Sequence, residues 1–217
     1  MGAMIELREE AGREEAGSTL GEHMEREKGE HTEEPLAQSN LRELFDLFGT
    51  DKGYAHDYTG VYEGLFPSTL SRMRVKRVLE LGVKTGASLL AWARWFPNAK
   101  IFGLDLEPCV KWFDGRFEII QGDQTDWRVL NKLASLGPFN LIIDDCSHVP
   151  IHQLVSFYSL FPRAILPNGF YVIEDIFSPS IAEEWKKIPQ CVVFDRGVSP
   201  FILPEGTHSI IAVVRRK

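Results

Sequence analysis

Two short apolar runs, each ending in a pair of adjacent carboxylates, constrain this chain more than any other feature. They are Leu141-Ile-Ile-Asp-Asp-Cys-Ser-His148 and Phe170-Tyr-Val-Ile-Glu-Asp175. Runs of β-branched and aromatic residues without polar alternation mark strands buried on both faces. Two such strands in a parallel sheet deliver their C-terminal ends to the same edge, with neighbours about 5 Å apart. Asp144, Asp145, Glu174 and Asp175 then converge on one crevice with His148, which lies three residues beyond the first pair.

The chain around these runs alternates in the same way. Val75–Leu81, Ile101–Asp105 and Phe117–Gln121 read as strands, with helices over Ala87–Phe96, Trp127–Leu136 and Pro150–Phe161. Repeated βαβ units predict an α/β fold, a doubly wound and mostly parallel seven-stranded sheet of the Rossmann-like type. After a short helix at Ile181–Lys187, strands at Cys191–Phe194 and Ser209–Val214 lie too close for a crossover helix, which predicts a C-terminal antiparallel hairpin. Trp92, Trp95 and Phe96 follow helical spacing and read as core.

Upstream, Asn40 and Glu43 have capping-box spacing, and Leu41, Leu44, Phe45, Leu47 and Phe48 trace one helical face up to Gly49. The stretch Gly49–Tyr62 is too polar for core and rich in Tyr and His; it reads as a surface loop or as a lid over a ligand. Residues 1–35 form an acidic, solvated leader, residues 36–70 a helix and lid region, and residues 71–217 the main domain.

Charge and composition exclude several classes. The leader holds 11 Glu against four Lys or Arg, which is the whole net charge of −7, and the remaining 182 residues balance at 20 acidic against 20 basic. A neutral body without a basic stripe argues against nucleic-acid binding. No apolar run reaches the ~20 residues of a membrane span, and the N-terminus lacks a signal-peptide core. Three cysteines without a C-x-x-C pair predict reduced thiols and a cytoplasmic protein.

Gly82 and Gly86 follow the first strand, where the chain must turn tightly and let a ligand approach the backbone. Asp105 ends the next strand, placed to accept from ribose hydroxyls. The G-x-x-x-G spacing departs from the G-x-G-x-x-G of dinucleotide folds and so disfavours a nicotinamide enzyme. Glu80-x-Gly82-x-x-x-Gly86 with Asp105 resembles the S-adenosylmethionine site of class I methyltransferases. More specifically, Gly49-Thr-Asp-Lys-Gly, Gly122-Asp-Gln-Thr-Asp, Ile143-Asp-Asp-Cys-Ser-His and Ile173-Glu-Asp resemble motifs of the metal-dependent sugar O-methyltransferases of macrolide antibiotic pathways.

That resemblance, from about Leu41 to Asp175, implies the following roles. Glu80, Gly82 and Gly86 belong to the donor site, with Gly82 facing the methionine part. Asp105 holds the ribose, Asp123 and Gln124 border the adenine, and Asp144 helps hold the amino acid end. Thr50, Lys52 and Tyr58 reach the donor from the lid. Asp145, Glu174 and Asp175 are the ligands of Mg²⁺ or a similar divalent cation, and His148 is the general base. The partner implied is a sugar or oligosaccharide acceptor, either the sugar of a glycosylated natural product or a mannose-type unit. From the residues themselves, the acceptor groove is expected to be built by the lid together with Phe177–Ser180 and Val198–Gly206, which are loop-like and rich in Pro, Ser and Phe.

Cys146 stands where the family has glycine, so the turn there is expected to take another shape. The chain also lacks the extra N-terminal domain of the larger macrolide enzymes, which leaves acceptor identity and a homo-oligomeric arrangement open. The chemistry implied is methyl transfer to a hydroxyl. Hard oxygen ligands hold the cation, the cation lowers the hydroxyl's pKa, and a histidine, ordinarily near ~6.5, removes the proton. A catechol-type methyltransferase and a non-catalytic donor-binding module are the alternatives.

Overall fold

A computed structural model describes residues 40–108, 115–198 and 208–217. The acidic leader and most of the Val198–Gly206 stretch lie outside the described residues. Ser39–Lys217 forms one compact unit.

The chain enters through α1 (Leu41–Phe48), capped as the Asn40/Glu43 spacing predicts: Asn40 Oδ1 accepts from the Glu43 N–H at 2.8 Å, and Gly49 ends the helix at φ 72°. Three short helices follow, α2 (Asp51–Tyr54), α3 (Thr59–Leu65) and α4 (Thr69–Arg74). The Gly49–Tyr62 stretch is therefore neither a surface loop nor too polar for the interior. Lys52, Tyr58 and Tyr62 are all buried, because their polar ends meet carboxylates from distant strands.

The body then runs β1 (Arg77–Leu81), α5 (Ala87–Trp95), β2 (Lys100–Asp105), β3 (Phe117–Gln121), α6 (Trp127–Leu136), β4 (Phe139–Asp144), α7 (Pro150–Ala164), β5 (Ile165–Ile173), α8 (Pro179–Lys186), β6 (Cys191–Val198) and β7 (His208–Arg215). The sheet order is β3-β2-β1-β4-β5-β7-β6. The first five strands are parallel, and β7 pairs antiparallel with both β5 and β6. The expected seven-stranded, mostly parallel sheet with its closing hairpin is thus present, with β7 inserted inside the edge strand β6.

Strand alternation divides the core. Val78, Ile101, Leu141, Ile143 and Val172 face a cluster with Phe45, Tyr62 and Trp92. Leu79, Phe102, Ile142, Tyr171 and Ile173 face Leu133, Phe157 and Trp185 on the other side. Two apolar faces explain why β4 and β5 read as continuous apolar runs. Trp92 is the largest fully buried side chain, 5.2 Å edge-on from Phe45 and 4.8 Å from Tyr62 between ring centroids.

Trp92→Ala is expected to destabilise the fold by about 3–5 kcal/mol. Its indole Nε1 has no hydrogen-bond partner among the described residues, so Trp92→Phe forfeits packing only and costs clearly less; urea denaturation of the two variants checks the order.

Candidate active site

The parallel strands bring their C-terminal ends together. Leu81 of β1 is in register with Leu104 of β2 and Asp144 of β4, and Asp144 with Ile173 of β5. Backbone bonds lace the loops just beyond: Gly82 N–H donates to Leu104 O at 2.8 Å, Asp145 N–H to Leu81 O at 2.9 Å, and Glu174 N–H to Asp144 O at 3.0 Å. Gly82, at φ 88°, lies so close to the next loop that a Cβ would stand 2.0 Å from the Asp145 carbonyl oxygen. Only glycine allows that approach.

Asp145, His148 and Asp175 each offer one ligand atom, and these atoms lie within 4.8 Å of one another. His148 Nε2 is 3.9 Å from Asp175 Oδ2, and its ring sits edge-on to Phe177 at 5.3 Å. The left-handed turn that aims the imidazole falls on His148 itself (φ 56°), and Cys146 is not among the residues with positive φ. Cys146 therefore carries no left-handed backbone strain at this turn. Asp175 is held from behind, with Tyr58 OH donating to Oδ1 at 2.8 Å and His56 Nδ1 3.2 Å from the same oxygen. Burial, then the nearby Asp145, raises the Asp175 carboxyl above its usual range, with His56 and His148 opposing.

Glu174 is placed differently. Its carboxylate turns inward, one oxygen 2.5 Å from Lys52 Nζ and the other accepting from Tyr62 OH. Lys52 Nζ also lies 2.5 Å from Asp145 Oδ2 and 3.1 Å from Glu80 Oε1. Lys52 is 2 % exposed. Burial by itself would lower its pKa, but Asp145, Glu174 and Glu80 outweigh burial and hold the ammonium well above its ordinary range. Burial, with Asp145 and Asp175 adding to it, pushes Glu174 upward against the pull of Lys52.

A cavity of about 630 Å³ opens beside this cluster. Of the residues singled out from the sequence, Thr50, Lys52, Gly82 and Asp105 line it, together with Asp145, His148, Glu174 and Asp175. Asp105 Oδ2 accepts from the Val83 and Lys84 N–H groups at 2.8 and 2.7 Å, fixing the turn after β1.

The remaining expected donor residues are not on the wall. Tyr58 lies behind Asp175, and Glu80 accepts from Ser88 Oγ at 2.7 Å beneath the turn. Gly86 caps α5 at φ 82°. Asp123 is exposed and closes a turn onto Thr125. Asp144 is fully buried on the opposite face of the sheet, accepting from Gln124 Nε2 and Tyr171 OH, each at 3.1 Å. Gln124 also donates to Ser156 at 2.9 Å and accepts from the Ser147 N–H at 3.0 Å, bracing the loop that carries His148.

His56, from the stretch read as a lid that could reach acceptor or donor, is on the cavity wall; its partner Ser209, 3.0 Å away and 153 residues on, had no counterpart in the motifs. Nor did the ring of partners around Lys52. Pairings over such separations leave no local signal.

The chain is similar to several characterised enzymes. Over 148 residues it is 38 % identical to the mycinamicin VI 2''-O-methyltransferase of Micromonospora griseorubida, a match covering 64 % of this chain and 36 % of that protein. Over another 148 it is 40 % identical to a tetracenomycin-C rhamnosyl 3'-O-methyltransferase of Streptomyces olivaceus, covering 64 % and 37 %. The match therefore spans little more than a third of either relative's length. Among solved structures, the mycinamycin-pathway methyltransferase MycE in complex with Mg, SAH and mycinamycin VI superposes with a TM-score of 0.63 at 28 % identity, over 82 % of this chain and 54 % of that one. No protein-family model matches. The fold is the class I methyltransferase fold.

Within this methyltransferase fold Asp144 supplies a pH test. Burial pushes its carboxyl up to about 7, while hydrogen bonds from Tyr171, Gln124 and Ser156 pull the other way. The unfolded chain releases that proton near pH 4 (roughly), whereas the folded chain keeps it until about 7. The folded state thus binds more protons across that window, and this group's contribution to stability falls as pH rises through it. Asp144→Asn cannot ionise, so its stability relative to wild type is expected to increase between about pH 5 and pH 8 in urea denaturation.

Proposed function

We propose that the chain is a divalent-cation-assisted O-methyltransferase that moves the methyl group of S-adenosylmethionine to a sugar hydroxyl. The observation that carries this reading is the placement of His148 with Asp145 and Asp175 on the wall of a cavity that also takes in Gly82 and Asp105. Support for the sugar acceptor comes from the Streptomyces olivaceus relative, whose name specifies a rhamnosyl tetracenomycin C. Support for the cation is chemical. The carboxylates of Asp145 and Asp175 form a hard oxygen donor set of the kind that suits Mg²⁺, with His148 beside it. Around this set Glu80, Asp145, Glu174 and Asp175 outnumber the Lys52 ammonium, the one buried Lys or Arg among the described residues. In this reading Asp145 and Asp175 are the direct ligands, and Glu174 strengthens the local negative field from behind.

When bound, the cation orients the acceptor hydroxyl and lowers its pKa. His148 takes the hydroxyl proton as general base, and Asp175 stabilises the resulting imidazolium. The acceptor oxygen forms its bond to the methyl carbon as the carbon–sulfur bond breaks, and that electron pair stays on sulfur, leaving S-adenosylhomocysteine. Gly82 and the turn fixed by Asp105 hold the donor, bringing the methyl group within reach of the oxygen. Phe177, edge-on to His148, gives the acceptor side an apolar wall. The free thiols of Cys146 and Cys191 fit a cytoplasmic compartment.

With a rhamnosyl or macrolide-glycoside acceptor, methylation should require a divalent cation, stop on EDTA treatment and return with MgCl₂. Undiminished turnover in EDTA would sink the reading, and transfer to phenols alone would move it to the catechol class. His148→Ala is expected to lower kcat by roughly 10²–10⁴ while S-adenosylhomocysteine binding, followed by calorimetry, stays close to wild type.

A further inference from the structure

Lys52 is the most deeply buried cation near the site, and methyl transfer as derived above assigns it no step. An ammonium has three N–H donors, and this one meets three carboxylates: Asp145 Oδ2 and Glu174 Oε2 at 2.5 Å, and Glu80 Oε1 at 3.1 Å. Those acids come from the ends of β4, β5 and β1. Two of these contacts are hydrogen bonds and the third is an ion pair, so the ammonium is enclosed by acids, while Lys52 also lines the cavity.

We propose that Lys52 is a positioning residue: a built-in countercharge that fixes Asp145 and Glu174 and ties both to Glu80 beneath the donor turn. Two of its partners, Glu80 and Glu174, are 0 % and 1 % exposed, so water cannot compensate them. Removing one member of a buried ion pair leaves an uncompensated charge, whereas neutralising both members is tolerated far better. The fixed ammonium lets the acid cluster stay assembled whether or not a divalent cation is bound. Without it, the divalent cation becomes the main countercharge, and stability becomes linked to its concentration. The inference builds on the proposed activity, but its main readout, thermal stability, does not require turnover.

The test compares full-length wild type, Lys52→Met and the double variant Lys52→Met/Glu174→Gln by thermal unfolding with and without MgCl₂. Lys52→Met should melt lower than wild type and gain at least about threefold more from Mg²⁺. The double variant, with the Lys52–Glu174 pair neutral, should recover most of the lost melting temperature. Should Lys52→Met not fold, the double variant decides alone: folding with near-wild-type S-adenosylhomocysteine affinity supports the role, and failure to fold overturns it. In turnover, Lys52→Met should lose at least about tenfold in kcat with the donor KM within about threefold. A Lys52→Met protein with wild-type melting and Mg²⁺ response would overturn the proposal. So would a folded variant whose S-adenosylhomocysteine affinity collapses, which would make Lys52 a donor contact. Wild type that melts as described yet never methylates would sink only the proposed activity.

Discussion

Glu80, Asp144, Glu174 and Asp175 crowd one sheet edge with exposures of 0, 0, 1 and 8 %, and the rest of the structure is arranged around keeping them there. A carboxylate taken out of water costs several kcal/mol unless something replaces its hydration. Three different solutions are used. Glu80 and Glu174 share the Lys52 ammonium. Asp175 receives Tyr58 and His56. Asp144 has no cation and holds its proton up to about 7, braced by Gln124 and Tyr171. Lys52, His56, Tyr58 and Tyr62 all come from the α2–α3 segment. The short helices ahead of the sheet are therefore pinned by charge compensation as much as by apolar packing.

Much of this was legible in the sequence because strand and helix periods are local. The bounds of β3 and α6 coincide with the expected ones to the residue, and the paired acids do end adjacent parallel strands. The α2–α3 segment was not legible: its burial depends on partners 93 to 122 residues away, which no windowed pattern reports.

Part of the site could have been read more finely. Successive strand residues face opposite ways. Val78, Ile143 and Val172 all face the Trp92 side; continuing the alternation sends Glu80, Asp145 and Glu174 to that same side, where Lys52 waits. Asp144 follows Ile142 to the Phe157 side. Adjacent acids in sequence are thus not neighbours in function, and parity alone separates Asp144 from Asp145.

The Gly82 contact adds a mechanical constraint to this electrostatic one. The turn after β1, which the proposed function places against the donor, and the loop that carries Asp145 meet backbone to backbone, with no side chain between them to absorb a shift. Asp105 locks that turn through the Val83 and Lys84 N–H groups, and Asp145 N–H is bonded to Leu81 O. Displacing the turn therefore displaces Asp145, and through Lys52 it also disturbs Glu80 and Glu174. Under the proposed function, donor-side and acid-side geometry form a single unit, which suits in-line transfer: the methyl group and the acceptor oxygen must be held in alignment by groups that do not move independently.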